Sequence, residues 1–301
     1  MATIPVLHEF VISQLQGTLT TAGSDEFLQP EFYAAPLGDP GLLGPDAVAW
    51  KVHADFPSML IGGISALMLQ SLHPAAMAGV VDHSDYQSDP MKRFWRTASF
   101  IAVTTFGSTE QATHLIDLVR SRHGQVNGVG ADGTAYDAND PDLLQWVHLA
   151  ESWQFLESYQ RHSGGHLDDA ECNRYLAEVA GVAERLGAVD LPVTRTAVLS
   201  YFDEVRYRLR ATPAALDTVD FLLNRIELPW HQRPVYAIAA QTAVDLLPVW
   251  ARDLLDLEPR GLKDEITAAA ARPLAWCFTT ALRQALGPPE IAIAARARAL
   301  G

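Results

Sequence analysis

Ala112, Ile116, Val119 and His123 follow one another at i, i+4, i+7 and i+11, which places a histidine on the apolar line of one predicted helix. An imidazole buried with nothing to bond costs a few kcal/mol, so His123 must meet a carbonyl, a carboxylate, water or a metal. From spacing alone, a hydrogen-bonded core histidine and a ligand remain both open. Arg120, three residues earlier, shares the surface and can pair with an acidic group. The preceding helix has a matching oddity: Arg93, Thr97 and Thr104 form a polar stripe beside apolar Phe94, Trp95, Ala98, Ile101 and Ala102. A guanidinium binds anions in a fixed fork, so Arg93 or Arg96 can clamp one, against the plainer reading of a solvated surface arginine. His73 before Pro74, His83 beside Asp82, and His148 within Trp146-Val-His-Leu-Ala-Glu151 are further histidines in apolar settings.

Several chemistries are absent. No histidine has a glutamate three residues before it, HExxH and GxSxG do not occur, and Cys172 and Cys277 form neither a CxxC nor a CxxCH pair. Cys277 lies between Trp276 and Phe278 in a helical run, away from any glycine-rich loop that could present a thiolate to iron. Gly128-Val-Gly130-Ala-Asp-Gly133 matches GxGxxG, but it follows a helix and opens a loop, whereas a dinucleotide site follows a strand and opens a helix.

The elements that must position these residues carry capping signals. Asp89-Pro90 opens a helix to about Thr105, and Ser108 with Gln111 forms a capping box for the next, to about Gly124. Val126 to Asn139 is turn-rich and reads as a long turn or short hairpin. Asp140-Pro141 starts a helix to about Arg161, and Asp168 with Glu171 starts another that closes at Gly187. Phe56 to Val81 reads as one buried core helix, its apolar runs too short for the roughly 20 residues of a membrane span. Further helices are expected over 194–209, 213–224, 235–257 and 262–286. The prediction is a single all-α domain over 46–301, preceded by a partly irregular extension, 1–45.

The chain has 301 residues, 49% hydrophobic and 19% charged, a folded composition. Its net charge of -14 opposes nucleic acid as a partner. Two cysteines and no basic, apolar leader at Met1 to Gln14 lead us to expect a cytoplasmic protein with no integral membrane segment.

A longer ordered set of motifs runs through the chain: Leu69-Gln-Ser-Leu-His73-Pro74, Asp82-His83-Ser84, Asp89-Pro90, Arg93-x-x-Arg96-Thr97, Phe106-Gly107-Ser108, Arg120-x-x-His123, and Tyr136-x-Ala-x-Asp140-Pro141-x-Leu-Leu-x-Trp146-Val-His148. With Asp245-Leu-Leu-Pro248-x-Trp-x-Arg252, this resembles the superfamily of rubber (latex-clearing) oxygenases and the oxygenase of the mycophenolate pathway, over roughly 55–286. The resemblance implies an all-helical fold enclosing a b-type haem, with His123 as the iron ligand. It also implies Arg93, Thr97, Arg120 and His148 near the cofactor, and Arg93, Arg96 and Thr97 as catalytic candidates. Rubber oxygenases carry a lysine where this chain has Arg96; a guanidinium stays protonated and cannot ligate iron, so an open or water-bound distal position is expected. The implied activity is oxygenation of a small apolar substrate by dioxygen, with C=C cleavage as the best-known reaction. Two alternatives are a haem or hydrophobic-ligand binding protein without turnover, and a non-haem metalloenzyme using His73, His83 and His148 with Asp82 or Glu151.

Overall fold

The structure is a computed structural model that describes residues 27, 29–83, 90–131, 133–230, 233–257 and 275–301, with 90–95 described by backbone alone. It is mostly helical: α1 (Val48–His53), α2 (Phe56–Gln70), α3 (Pro74–His83), α4 (Pro90–Phe106), α5 (Thr109–His123), then a two-stranded antiparallel hairpin of β1 (Asn127–Val129) and β2 (Ala135–Asp137). Seven helices follow: α6 (Pro141–His162), α7 (Asp169–Leu186), α8 (Arg195–Val205), α9 (Pro213–Asp220), α10 (Arg233–Leu246), α11 (Val249–Leu254) and a helix over 275–286, α12. The last is α13 (Glu290–Leu300).

The expected caps form. Ser108 and Gln111 make both bonds of a capping box, as do Asp168 and Glu171, and Asp140 accepts from the Asp142 amide ahead of α6. Gly187 ends α7 in the left-handed region at φ 117°, which favours glycine.

Helix α6 is the axis of the fold. Trp146, Leu149, Ala150, Trp153, Phe155 and Leu156 are all buried, so apolar residues surround it rather than lying on one stripe. Its main partner is α2, and the two approach closely because Gly62 has no side chain: a Cβ there would lie 2.9 Å from the Gln154 carbonyl oxygen. Polar bonds fix the register of that contact. Ser158 Oγ donates to the Ser58 carbonyl (2.7 Å), Gln70 Nε2 to the Val147 carbonyl (3.0 Å), and the Trp146 indole to the Gln70 carbonyl (3.3 Å). At the far end Arg283 pairs with Asp55 and donates to the His162 carbonyl, joining α12 to both helices.

Two expectations are corrected. Residues 56–81 form two helices meeting at 103°, not one, because Pro74 brings no amide to continue α2 and Ser71 Oγ turns back onto the Met68 carbonyl. Likewise 235–257 is interrupted: Pro248 ends α10 and becomes the N-cap residue of α11. Residues 258–274, the front of the expected 262–286 helix, lie outside the described residues, while 275–286 is helical. Helices α1 and α13 were not anticipated; neither has a side-chain N-cap. Among the described residues no single helix is long and apolar enough to cross a membrane.

Candidate active site

The candidate residues come from α4, α5 and α6, and the corner between α4 and α5 is built with care. Asp39 accepts from the Thr109 amide (3.1 Å) and hydroxyl (2.8 Å) at the start of α5. Arg298, from α13, is fully buried, and its guanidinium donates to the carbonyls of Tyr33, Asp39, Phe106 and Gly107. Those bonds satisfy orphan carbonyls at the end of α4. The corner therefore fixes how α5 leaves the end of α4, and the two helices pack against each other.

His123 is the last residue of α5. The face foreseen from spacing is present, with Ala112 and Ile116 buried and Val119 and His123 half-buried. Its Nδ1 is sealed from solvent without a hydrogen-bond partner among the described residues. Burial lowers the imidazole pKa, with Asp137 pulling the other way, so the ring is neutral at pH 7. The hairpin locks onto this end: the Val126 amide donates to the His123 carbonyl (2.9 Å) and the Ala138 amide to the Val126 carbonyl (2.9 Å). Tyr136 then anchors the hairpin on α3 by donating to Asp82 (2.8 Å), with His83 Nε2 also 3.0 Å from its hydroxyl. The GxGxxG segment thus belongs to this hairpin.

Arg96 and Thr97 are exposed on α4, and Arg120 is exposed on α5. Arg93 lies within α4, its side chain outside the described residues. Thr104 is removed from the stripe, because it is buried and its hydroxyl bonds back to the Phe100 carbonyl (2.8 Å) of its own helix. His73 leans on the Trp146 ring (centroids 6.1 Å apart), with burial taking it to about 4. Among the described residues, no three His, Cys, Asp or Glu side chains come together as a metal site, so His73, His83 and His148 are not one cluster.

A polar group that the sequence did not announce lies inside the bundle. His53 Nδ1 is 2.7 Å from Thr105 Oγ1 and its Nε2 is 3.1 Å from the Tyr175 hydroxyl, linking α1, α4 and α7. Burial alone takes His53 to about 3, which keeps it neutral. On α6, His148 is held to about 4 and Glu151 is pushed up to about 7, both by burial. No signal in the sequence distinguishes His53 from an ordinary helix-end histidine; only its three-helix surroundings do.

With this geometry in hand, comparison with known proteins is decisive for the family. Residues 50–280 match the catalytic domain of the ER-bound oxygenase mpaB/B' and rubber oxygenase family. The chain belongs to this family. Among curated proteins, an uncharacterized protein of Mycobacterium tuberculosis and one of Mycobacterium bovis are each 28% identical over 107 residues. That stretch is 36% of this chain and 40% of each relative, so the chain matches about two-fifths of their length. No solved structure matches the chain significantly.

Proposed function

We propose that this oxygenase-family chain is a haem b-dependent oxygenase of a small apolar substrate, an isoprenoid, terpenoid, polyketide or lipid, with oxidative C=C cleavage as its reaction. The observation that carries the reading is His123: a neutral imidazole whose Nδ1 is sealed and unpartnered, at the helix end where the family motif Arg120-x-x-His123 falls. Only a neutral ring offers a nitrogen lone pair to a metal, so burial prepares His123 for ligation. The chemistry of the candidate residues fits the group. Arg96 and Arg120 present permanently charged guanidinium groups to the outside of α4 and α5, the chemistry that holds the carboxylates of a tetrapyrrole.

When bound, the haem iron would supply dioxygen activation and electron transfer. The chain's own residues do the rest. His123 would hold the metal from the end of α5, and Arg93, Arg120 and His148 would bind the cofactor. Arg96 and Thr97 offer hydrogen bonds to a small polar species at the reacting face, Arg96 without the ability to coordinate. The apolar walls of α4 to α6 exclude water and orient the alkene.

The test is the visible spectrum of the protein from haem-supplemented cells, with dithionite and carbon monoxide, for wild type and His123→Ala. A Soret band at about 400–420 nm that is lost in the variant is expected from histidine ligation. A band unchanged in His123→Ala, or none after reconstitution, overturns the reading. Oxygen uptake with a candidate alkene separates turnover from simple binding.

A further inference from the structure

Buried polar groups in a folded protein are almost always paired, and most of this interior obeys that rule. Ser58, Ser71, Ser158 and Thr242 bond through their hydroxyls, and even the fully buried Arg298 has all its partners. A stretch of α6 is the densest departure from it among the described residues. His148 and Glu151, one turn apart, have no hydrogen-bond partner among the described residues. Beside them the Ser152 hydroxyl and both polar atoms of the fully buried Gln154 are sealed and unpartnered. Those three atoms are three of the eight such atoms among the described residues.

The direction of this face follows from helical geometry. His148, Glu151 and Phe155 stand at i, i+3 and i+7, on one side of α6. Phe155 meets the His53 ring edge-on at 5.8 Å, so the face looks toward the Thr105–His53–Tyr175 chain between α1, α4 and α7. His148 and Glu151 are surrounded by protein yet retain some accessible surface, so they border interior space rather than contact solid packing. Among the described residues no Arg or Lys charge offsets the burial of Glu151. A buried carboxyl without a cation is satisfied by a neutral group that can both donate and accept a hydrogen bond, which is what a hydroxyl does.

We propose that the His148–Glu151 face of α6 is a polar subsite facing the interior of the helical bundle, and that the substrate is an otherwise apolar molecule bearing a hydroxyl that hydrogen-bonds to Glu151. The term substrate rests on the oxygenase reading; the subsite itself concerns only this chain's residues. It assigns to Glu151 a specificity role, distinct from metal ligation, and it disfavours a pure hydrocarbon.

The experiment is calorimetric titration of the full chain with n-octanol and with heptyl methyl ether, isomers of similar apolar surface of which only the alcohol donates a hydrogen bond. Wild type is expected to bind the alcohol about tenfold more tightly, as one hydrogen bond to a buried carboxyl implies. Glu151→Leu, which suits an apolar interior, should keep ether binding and lose the preference. Glu151→Gln, whose Oε1 still accepts, should keep part of it. Equal binding in wild type, a preference that survives in Glu151→Leu, or binding of neither probe overturns the proposal. Recording the visible spectrum of each sample separates the two readings: an alcohol preference without a Soret band removes only the haem, and a Soret band without a preference removes only the subsite.

Discussion

Replacing Glu151 by glutamine should change how stability depends on pH, and the size of the change follows from burial. The carboxyl moves from its ordinary 4.5 to about 7 in the folded chain. At 1.36 kcal/mol per pH unit this corresponds to about 3 kcal/mol, and the accessible surface the group retains brings the expected value to about 2 kcal/mol. Between pH 4.5 and 7 the unfolded chain has released this proton while the folded chain keeps it. Stability from Glu151 is therefore greatest at low pH, falls as pH rises, and is fully lost above about 7. The buried histidines act in the opposite sense. His53, His73, His148 and His162, held to about 3, 4, 4 and 4, contribute stability above 6.5 that is lost as pH falls through their folded values. Those contributions occur in both proteins and cancel in the comparison. Urea unfolding of wild type and Glu151→Gln at pH 5 and pH 8, at equal cofactor content, should show the variant gaining about 2 kcal/mol relative to wild type at the higher pH. A difference between the two proteins that is the same at both pH values would refute the argument, because the carboxyl would then be ionised in the folded state.

Arg96→Ala should leave the haem spectrum of the reconstituted protein nearly intact, since Arg96 is exposed and cannot coordinate iron; a changed spin state or loss of haem would contradict this. Gly62→Ala should destabilise the protein by about 2 kcal/mol, because the new Cβ meets the Gln154 carbonyl oxygen at 2.9 Å and the Phe155 Cα at 3.1 Å in backbone that cannot give way cheaply. A urea midpoint within experimental error of wild type would show that α2 and α6 can separate without cost.

What could be read in advance divides along physical lines. Local chemistry was legible: the boxes at Ser108–Gln111 and Asp168–Glu171, the Asp140 cap and the Gly187 stop involve residues within a few positions of each other. Breaks that depend on proline inside an apolar stretch were not. Pro74 and Pro248 each begin a new helix, and a proline at a helix start cannot be told from a kink by composition. Pro289 likewise is the N-cap residue of α13. At the site, the apolar setting of His123 was legible from period alone, but Thr104 was misplaced because its bond to its own helix is invisible in a helical wheel.

Glu151 shows where sequence reading stops. Within Trp146-Val-His-Leu-Ala-Glu-Ser-Trp, a glutamate looks like the solvated interruption of a half-buried helix, and Glu157 on the same helix does find its ion pair with Arg195 at 3.0 Å. The difference lies in what the neighbouring helices bring. Glu157 is met by an arginine from α8, while the Glu151 face is met by Phe155 of its own helix and by the His53–Tyr175 pair, whose polar atoms are already bonded to each other. Folding alone gives no reason for an acid there, since a leucine would pack into the same interior without the cost of burying a carboxyl. A residue that opposes stability and is not relieved by any partner among the described residues is best explained by a partner outside the chain. This is the physical ground for assigning the 148–151 face to a ligand, and for expecting that ligand to have one polar end.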